Sequence, residues 1–202
     1  MKKVGVLALQ GDFAAHAAAL ERAGAEPVLV REREQLADLD GLILPGGEST
    51  TMLKLMHHEG LMDALAEFGR RKPLFGTCAG AILLATEVKN PKQDSLALLD
   101  MTVMRNGYGR QVHSDVVSGP STLRKEPLEM VFIRGPVIER VGRGVEVLAE
   151  YAGKPALVEK GRIMASAFHP ELTSDTTVHD RFVRMAAQRT EREVKRANGT
   201  RT

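Results

Sequence analysis

Leu74-Phe75-Gly76-Thr77-Cys78-Ala79-Gly80 runs directly into Ala81-Ile82-Leu83-Leu84-Ala85, and no other stretch constrains the fold of this chain so tightly. An apolar run, a turn of small residues and a second apolar run read as a strand entering a helix through a sharp corner. Corners of this kind are the repeating joints of α/β folds. This one carries Cys78, the only cysteine in the chain. Glycines two residues to either side remove the Cβ atoms that would clash at the bend. The helix that follows sets partial positive charge beside the sulfur, the environment of an activated thiol. A lone cysteine is ordinarily a small core residue. At this corner Cys78 reads as a nucleophile.

The same joint recurs along the first half. Lys3–Leu9 reads as a strand, followed by a helix that Asp12 caps and Gly24 ends. Pro27–Arg31, Gly41–Pro45 and Lys72–Phe75 are further strands, with one helix from Thr51 to about Phe68 between the last two. The expected order is β-α-β-β-α-β-α around a central, largely parallel sheet. The second half is richer in short strands: Leu98–Met104, Gln111–Val117, Met130–Ile133, Val145–Tyr151, Ala156–Lys160 and Ile163–Phe168. Gly153-Lys154 and Lys160-Gly161 look like hairpin turns. Val178 to Ala197 is a closing helix. One domain over residues 1–198 with a polar tail over 199–202 accounts for the length of 202 residues.

A nucleophilic thiol needs a base, and His169-Pro170-Glu171 after the apolar Ile163–Phe168 run supplies a candidate. In extended backbone, positions i and i+2 point the same way, roughly 6.6 Å apart. Pro170 ends the strand and stiffens that spacing. Imidazole beside carboxylate is a base with its orienter. A third segment, Gly41-Leu42-Ile43-Leu44-Pro45-Gly46-Gly47-Glu48-Ser49-Thr50-Thr51, is again strand, glycine turn and helix start, with Ser49 and Thr50 as cap candidates. Adjacent glycines let backbone N–H groups converge on an anion, either a phosphate or an oxyanion. The lysine of a phosphate-binding loop is missing. Beside a nucleophile, an oxyanion hole built from the N–H groups of Gly47 and Ala79 is the better reading. Gln10-Gly11, Gly46-Gly47, Cys78 and His169 all follow expected strands, where open α/β sheets bind ligands.

Gly76-Thr77-Cys78-Ala79-Gly80 together with His169-Pro170-Glu171 resembles the Cys-His-Glu triad of class I glutamine amidotransferases. Leu7-Ala8-Leu9-Gln10-Gly11, Leu44 to Met52, Arg105-Asn106-Gly107-Tyr108-Gly109-Arg110-Gln111, Val131-Phe132-Ile133-Arg134 and Ser166 to Thr173 narrow the resemblance to the glutaminase subunits of pyridoxal 5′-phosphate synthases. It runs from about Lys3 to Met185. It implies a flavodoxin-like three-layer fold and hydrolysis of L-glutamine through a Cys78 thioester. It also implies delivery of ammonia to a barrel-shaped synthase subunit in a large hetero-oligomeric complex. Gly47, Glu48, Ser49, Arg105, Ile133 and Arg134 match positions that contact glutamine. A guanidinium suits the substrate carboxylate, and Glu48 suits its ammonium. The family usually shows Gln-Gly-x-x-x-Glu-His where this chain has Gln10-Gly11-Asp12-Phe13-Ala14-Ala15-His16, so Ala15 replaces a glutamate. Two other readings of a cysteine corner are a DJ-1/PfpI-like enzyme and a non-catalytic flavodoxin-like module. The His-Pro-Glu triplet and the GGEST loop argue against the first, and the complete triad argues against the second.

Composition bounds the rest. A formal charge of +2, scattered basic residues and few aromatics offer nucleic acid no surface. One cysteine excludes a disulfide framework and suits a reducing compartment. Val4–Leu9 is too short for a signal peptide, and no run is long enough to span a membrane. The expectation is a soluble, cytoplasmic protein. His57-His58, His113 and His179 have no partners at metal-ligand spacing, so no metal is expected, and the resemblance implies that the chain binds no coenzyme.

Overall fold

In a computed structural model of the chain, residues 1–107 and 115–199 are described, with side chains up to residue 188. The elements are β1 (Lys3–Leu7), α1 (Phe13–Arg22), β2 (Glu26–Val30), β3 (Gly41–Leu44), α2 (Ser49–His58), α3 (Met62–Arg71), β4 (Leu74–Thr77) and α4 (Ala79–Leu84). The second half adds β5 (Ala85–Lys89), β6 (Leu99–Met104), β7 (Asp115–Gly119), β8 (Leu128–Phe132), β9 (Val137–Val141), β10 (Glu146–Tyr151), β11 (Lys154–Lys160), β12 (Ile163–Ser166) and α5 (Thr177–Gly199). Tyr108 to Gln111 of the arginine-rich motif, His113, the start of the expected Gln111–Val117 strand and residues 200–202 of the tail lie outside the described residues.

The main sheet has the order β10-β11-β12-β4-β3-β1-β2. Its β2, β1, β3, β4 and β12 strands pair in parallel, and β10 and β11 extend it antiparallel. The parallel part is the doubly wound order in which the chain reverses direction between β1 and β3. Alternate residues of β4 show the layers. Leu74 and Gly76 face α3 and α4, where Cβ atoms added at Gly69 and Gly76 would meet Leu74 and Gly80. Phe75 and Thr77 face the other way, toward α1 and α5, where Phe75 packs on Phe182 and Thr77 meets His16. These are the two faces that a period of two demands. The expected largely parallel α/β sheet is the one observed. A three-stranded sheet (β5-β6-β9) and a β7–β8 hairpin make up the β-rich second half.

Three local expectations are corrected. The single helix over Thr51 to Phe68 is two helices, because Gly60 sits at φ +63°. There Gly60 N–H donates to the His57 carbonyl and Leu61 N–H to the Met56 carbonyl, the paired bonds that close a helix through a left-handed glycine. The chain then restarts at Met62. Glu48, rather than Ser49 or Thr50, caps α2, since its carboxylate accepts from the Thr50 and Thr51 N–H groups at 3.0 and 2.7 Å. Strands β5 and β9 were not anticipated. Among the described residues both pair with β6 alone, and their register is set by that pairing rather than by a clear local alternation. The hairpin turns did form, with Ala152 and Gly153 both at positive φ between β10 and β11, and Gly161 at positive φ between β11 and β12.

Candidate active site

The corner after β4 is tight. Cys78 has φ 48° and ψ −102°, a strained conformation for a residue with a side chain. A Cβ at Gly76 would lie 2.5 Å from the Gly80 carbonyl group, and one at Gly80 would lie 2.0 Å from the Leu44 carbonyl oxygen. Both flanking glycines are therefore required by close backbone approach. The bend presents Cys78 beside the start of α4, so the Ala79 N–H lies next to the thiol at the helix N-terminus.

His169 comes to the same place from β12. Its N–H donates to the Val131 carbonyl at 2.8 Å, which ties it to β8. Its Nδ1 is 2.7 Å from Glu171 Oε1, and the neighbouring Cys78 favours the charged form of the ring. The spacing came from a short 3-10 turn, Pro170–Leu172, rather than from extended strand. Cys78, His169 and Glu171 are all buried. Burial works against a charged imidazole at His169, but its interactions with Cys78 and Glu171 outweigh that and raise its pKa to about 10. Glu171 is raised above the usual carboxylate range by burial, against the opposing pull of His169. Asp12 adds a second carboxylate, with Oδ2 3.6 Å from His169 Nδ1. Asp12, His169 and Glu171 could offer three ligand atoms within 4.8 Å of one another. The His169 Nδ1 is already bonded to Glu171, so that cluster reads as a base and its orienter with a flanking acid.

The glycine loop after β3 closes over this group. A Cβ at Gly46 would meet His169 Cε1 at 2.4 Å and Cys78 Cβ at 3.5 Å. The Gly46 carbonyl accepts from the Asp12 N–H at 3.3 Å, which joins the loops after β1 and β3. Gly47 has φ +147°, and Gln10 brackets the next residue, its amide donating to the Glu48 carbonyl at 3.3 Å. The loops after β1, β3 and β4 and the end of β12 thus converge beyond the carboxyl ends of the strands.

Of the residues expected to contact glutamine, Glu48 and Arg105 stand together, with Arg105 Nη2 3.4 Å from Glu48 Oε1 and 2.7 Å from Thr50 Oγ1. Ser49 is buried and donates to Gln93 Oε1 at 2.9 Å. Ile133 and Arg134 are exposed just past β8, Arg134 at φ 43°. The N–H bond from His169 to Val131 anchors that strand end next to the triad. Hydrogen bonds from Thr51 and Thr50 outweigh burial at Glu48 and lower its pKa to about 2, so its carboxylate stays anionic.

Sequence reasoning missed the layer beneath. His16, noted there only as part of a family motif, and His179, which had no partner there, are buried against each other, and His16 also stands against Glu171. Their separation of 163 residues left no local signal.

Residues 6–188 match the model of the SNO glutamine amidotransferase family. The chain belongs to that family. Among curated relatives, the pyridoxal 5′-phosphate synthase subunit PdxT of Solibacter usitatus is 60% identical over 189 residues, covering 91% of this chain and 98% of the relative. The subunit of the same name from Koribacter versatilis is 54% identical over 183 residues, covering 91% and 95%. A crystal structure titled glutamine amidotransferase superposes with a TM-score of 0.85 at 47% identity, covering 91% of this chain and 98% of that one. In this SNO family member no described helix is long and apolar enough to cross a membrane.

Proposed function

We propose that this chain hydrolyses L-glutamine to glutamate and ammonia and supplies the ammonia to a synthase subunit that makes pyridoxal 5′-phosphate. The observation that carries the reading is a strained cysteine corner that shares the glycine loop at Gly46 with a histidine whose Nδ1 lies 2.7 Å from a buried glutamate. Membership of an amidotransferase family and relatives named as synthase subunits support it.

In the proposed mechanism His169 takes the Cys78 proton and the sulfur attacks the side-chain carbonyl carbon of glutamine. The carbonyl oxygen becomes an oxyanion, met by the N–H groups of Gly47 and Ala79. The C–N bond breaks as His169 returns the proton to nitrogen, releasing ammonia and leaving a glutamyl thioester. Water, deprotonated by His169, then attacks the thioester. Glutamate leaves and the thiol recovers its proton. Glu171 holds the His169 ring throughout. Glu48 receives the substrate ammonium and Arg105 or Arg134 its carboxylate, with Ser49 and Ile133 lining the site. The partner is a barrel-shaped subunit in a large hetero-oligomeric complex, working in the cytoplasm where a lone thiol stays reduced. This chain itself holds no coenzyme.

The test is chemical complementation. A complex carrying Cys78→Ala should form no pyridoxal 5′-phosphate from glutamine and should recover synthesis with a high concentration of ammonium salt. Glutamine-dependent synthesis by the alanine variant would refute the thioester. Failure of ammonium to rescue an assembled complex, while the partner alone uses it, would refute simple nitrogen delivery.

A further inference from the structure

Behind Glu171 lies a pair of histidines that the hydrolytic steps do not use. His16 of α1 and His179 of α5 are fully buried, with His16 Nδ1 3.0 Å from His179 Nε2. The other ring nitrogen of His16, Nε2, stands 2.9 Å from Thr77 Oγ1 and 3.4 Å from Glu171 Oε2. Neither Glu171 Oε2 nor His179 Nδ1 has a hydrogen-bond partner among the described residues. Thr77 directly precedes Cys78, and Glu171 orients His169. His16 therefore touches both arms of the catalytic set from beneath.

These contacts decide where the protons sit. A neutral imidazole carries one N–H, and a buried N–H without an acceptor is rarely tolerated. His179 Nδ1 faces no partner, so the proton of His179 belongs on Nε2, where it donates to His16 Nδ1. That nitrogen then accepts, and the His16 proton sits on Nε2, aimed at the Thr77 hydroxyl and Glu171 Oε2. The opposite arrangement strands the His179 N–H and turns a His16 lone pair toward a carboxylate. Burial lowers the pKa of both rings, His179 to about 4, with Arg22 and the neighbouring histidines acting in the same direction. The pair thus presents an N–H dipole rather than a positive charge, leaving His169 as the cation Glu171 has to balance. Phe75 meets both rings edge-on, 6.4 Å from His16 and 6.3 Å from His179, which fixes their planes.

We propose that His16 is a positioning residue: locked by His179 with its proton on Nε2, it holds Glu171 Oε2 and the Thr77 hydroxyl in place and keeps His169 aimed at Cys78. The proposal rests on the glutaminase reading of that triad.

The experiment compares His16→Leu, which removes the donor, with His16→Gln, whose amide nitrogen can reach the same position. Both are assayed for glutamine hydrolysis in complex with the synthase subunit. His16→Leu should lower kcat roughly ten- to a hundredfold with KM little changed, and His16→Gln should recover most of the rate. Nitrogen-15 spectra of the wild-type imidazoles should show both His16 and His179 protonated on Nε2. An unchanged kcat in folded His16→Leu, equal losses in the two variants, or a His16 proton on Nδ1 would each overturn the proposal. If His16→Leu does not fold, the tautomer spectrum decides alone. Absence of hydrolysis by the wild-type complex would count against the glutaminase reading and leave the spectrum to test the geometry.

Discussion

Replacing Gly46 by alanine inserts a methyl group where the structure holds the catalytic imidazole. The new Cβ would lie 2.4 Å from His169 Cε1 and 3.0 Å from its Nδ1. Carbon atoms in contact need about 3.5 Å, so loop and ring must separate by roughly 1 Å. Neither side yields freely. The ring is bonded to Glu171 and its backbone N–H to Val131, and the loop is tied to Asp12 through the Gly46 carbonyl. Gly46 is not among the positive-φ glycines, so alanine is acceptable to the backbone and the penalty is one of space. Overpacking of this kind costs about 1–3 kcal/mol of stability, and a displacement of about 1 Å at a reacting group costs about a hundredfold in rate. The Gly46→Ala protein should therefore fold, melt a few degrees lower, and show kcat/KM for glutamine reduced by about two orders of magnitude. Glutamate release measured in the presence of the synthase subunit, beside a thermal melt, checks both. A folded Gly46→Ala protein with wild-type turnover would refute the claim that this loop and the His169 ring are in contact during catalysis.

Three further outcomes follow from the same geometry. His169→Asn should lose more kcat than Glu171→Gln, because only the first removes proton transfer; equal KM effects with unchanged kcat would mean the pair merely binds substrate. In Cys78→Ala the His169 pKa should fall from about 10, since the neighbouring Cys78 supports the protonated ring; an unchanged imidazole titration would show that Glu171 alone sets it. Stability should decline as pH falls from about 6.5 toward 4, because His179 stays neutral in the fold to about 4 while the unfolded chain takes up its proton earlier. That linkage is worth on the order of 3 kcal/mol, it should shrink in His179→Gln, and denaturant midpoints measured across that range would reveal its absence.

The joints of the fold were legible because they are local. Gly76, Cys78 and Gly80 announce a strand-to-helix corner from seven residues, and the backbone contacts at Gly80 explain why no other residue fits. Gly153 and Gly161 likewise marked hairpins whose turn residues decide their own conformation. The closing helix was legible from its length, and the sheet class from the alternation of apolar runs with helical ones. The cap of α2 was misread because Glu48, whose carboxylate bonds to the Thr50 and Thr51 N–H groups, competes with the equally plausible caps at Ser49 and Thr50, and the winner depends on how the preceding glycines turn the chain. The break at Gly60 was missed because a glycine inside an apolar helical pattern costs only about 1 kcal/mol, too little to decide the matter without the packing that follows.

The sequence by itself determined the chemistry available at each corner: a thiol, an imidazole two residues before a carboxylate, and a pair of adjacent glycines. Backbone propensity and side-chain type act over a few residues, and those were enough to specify the joints. Tertiary structure alone decided how the corners meet. The parallel order β2-β1-β3-β4-β12 brings the loops after β1, β3 and β4 and the end of β12 to one edge, so Gly46 packs against His169 from 123 positions away in the chain. The same wrapping sets His16 of the first helix against His179 of the last, beneath Glu171. Nothing near either histidine in sequence encodes that pair, because the contact exists only once both layers have closed on the sheet.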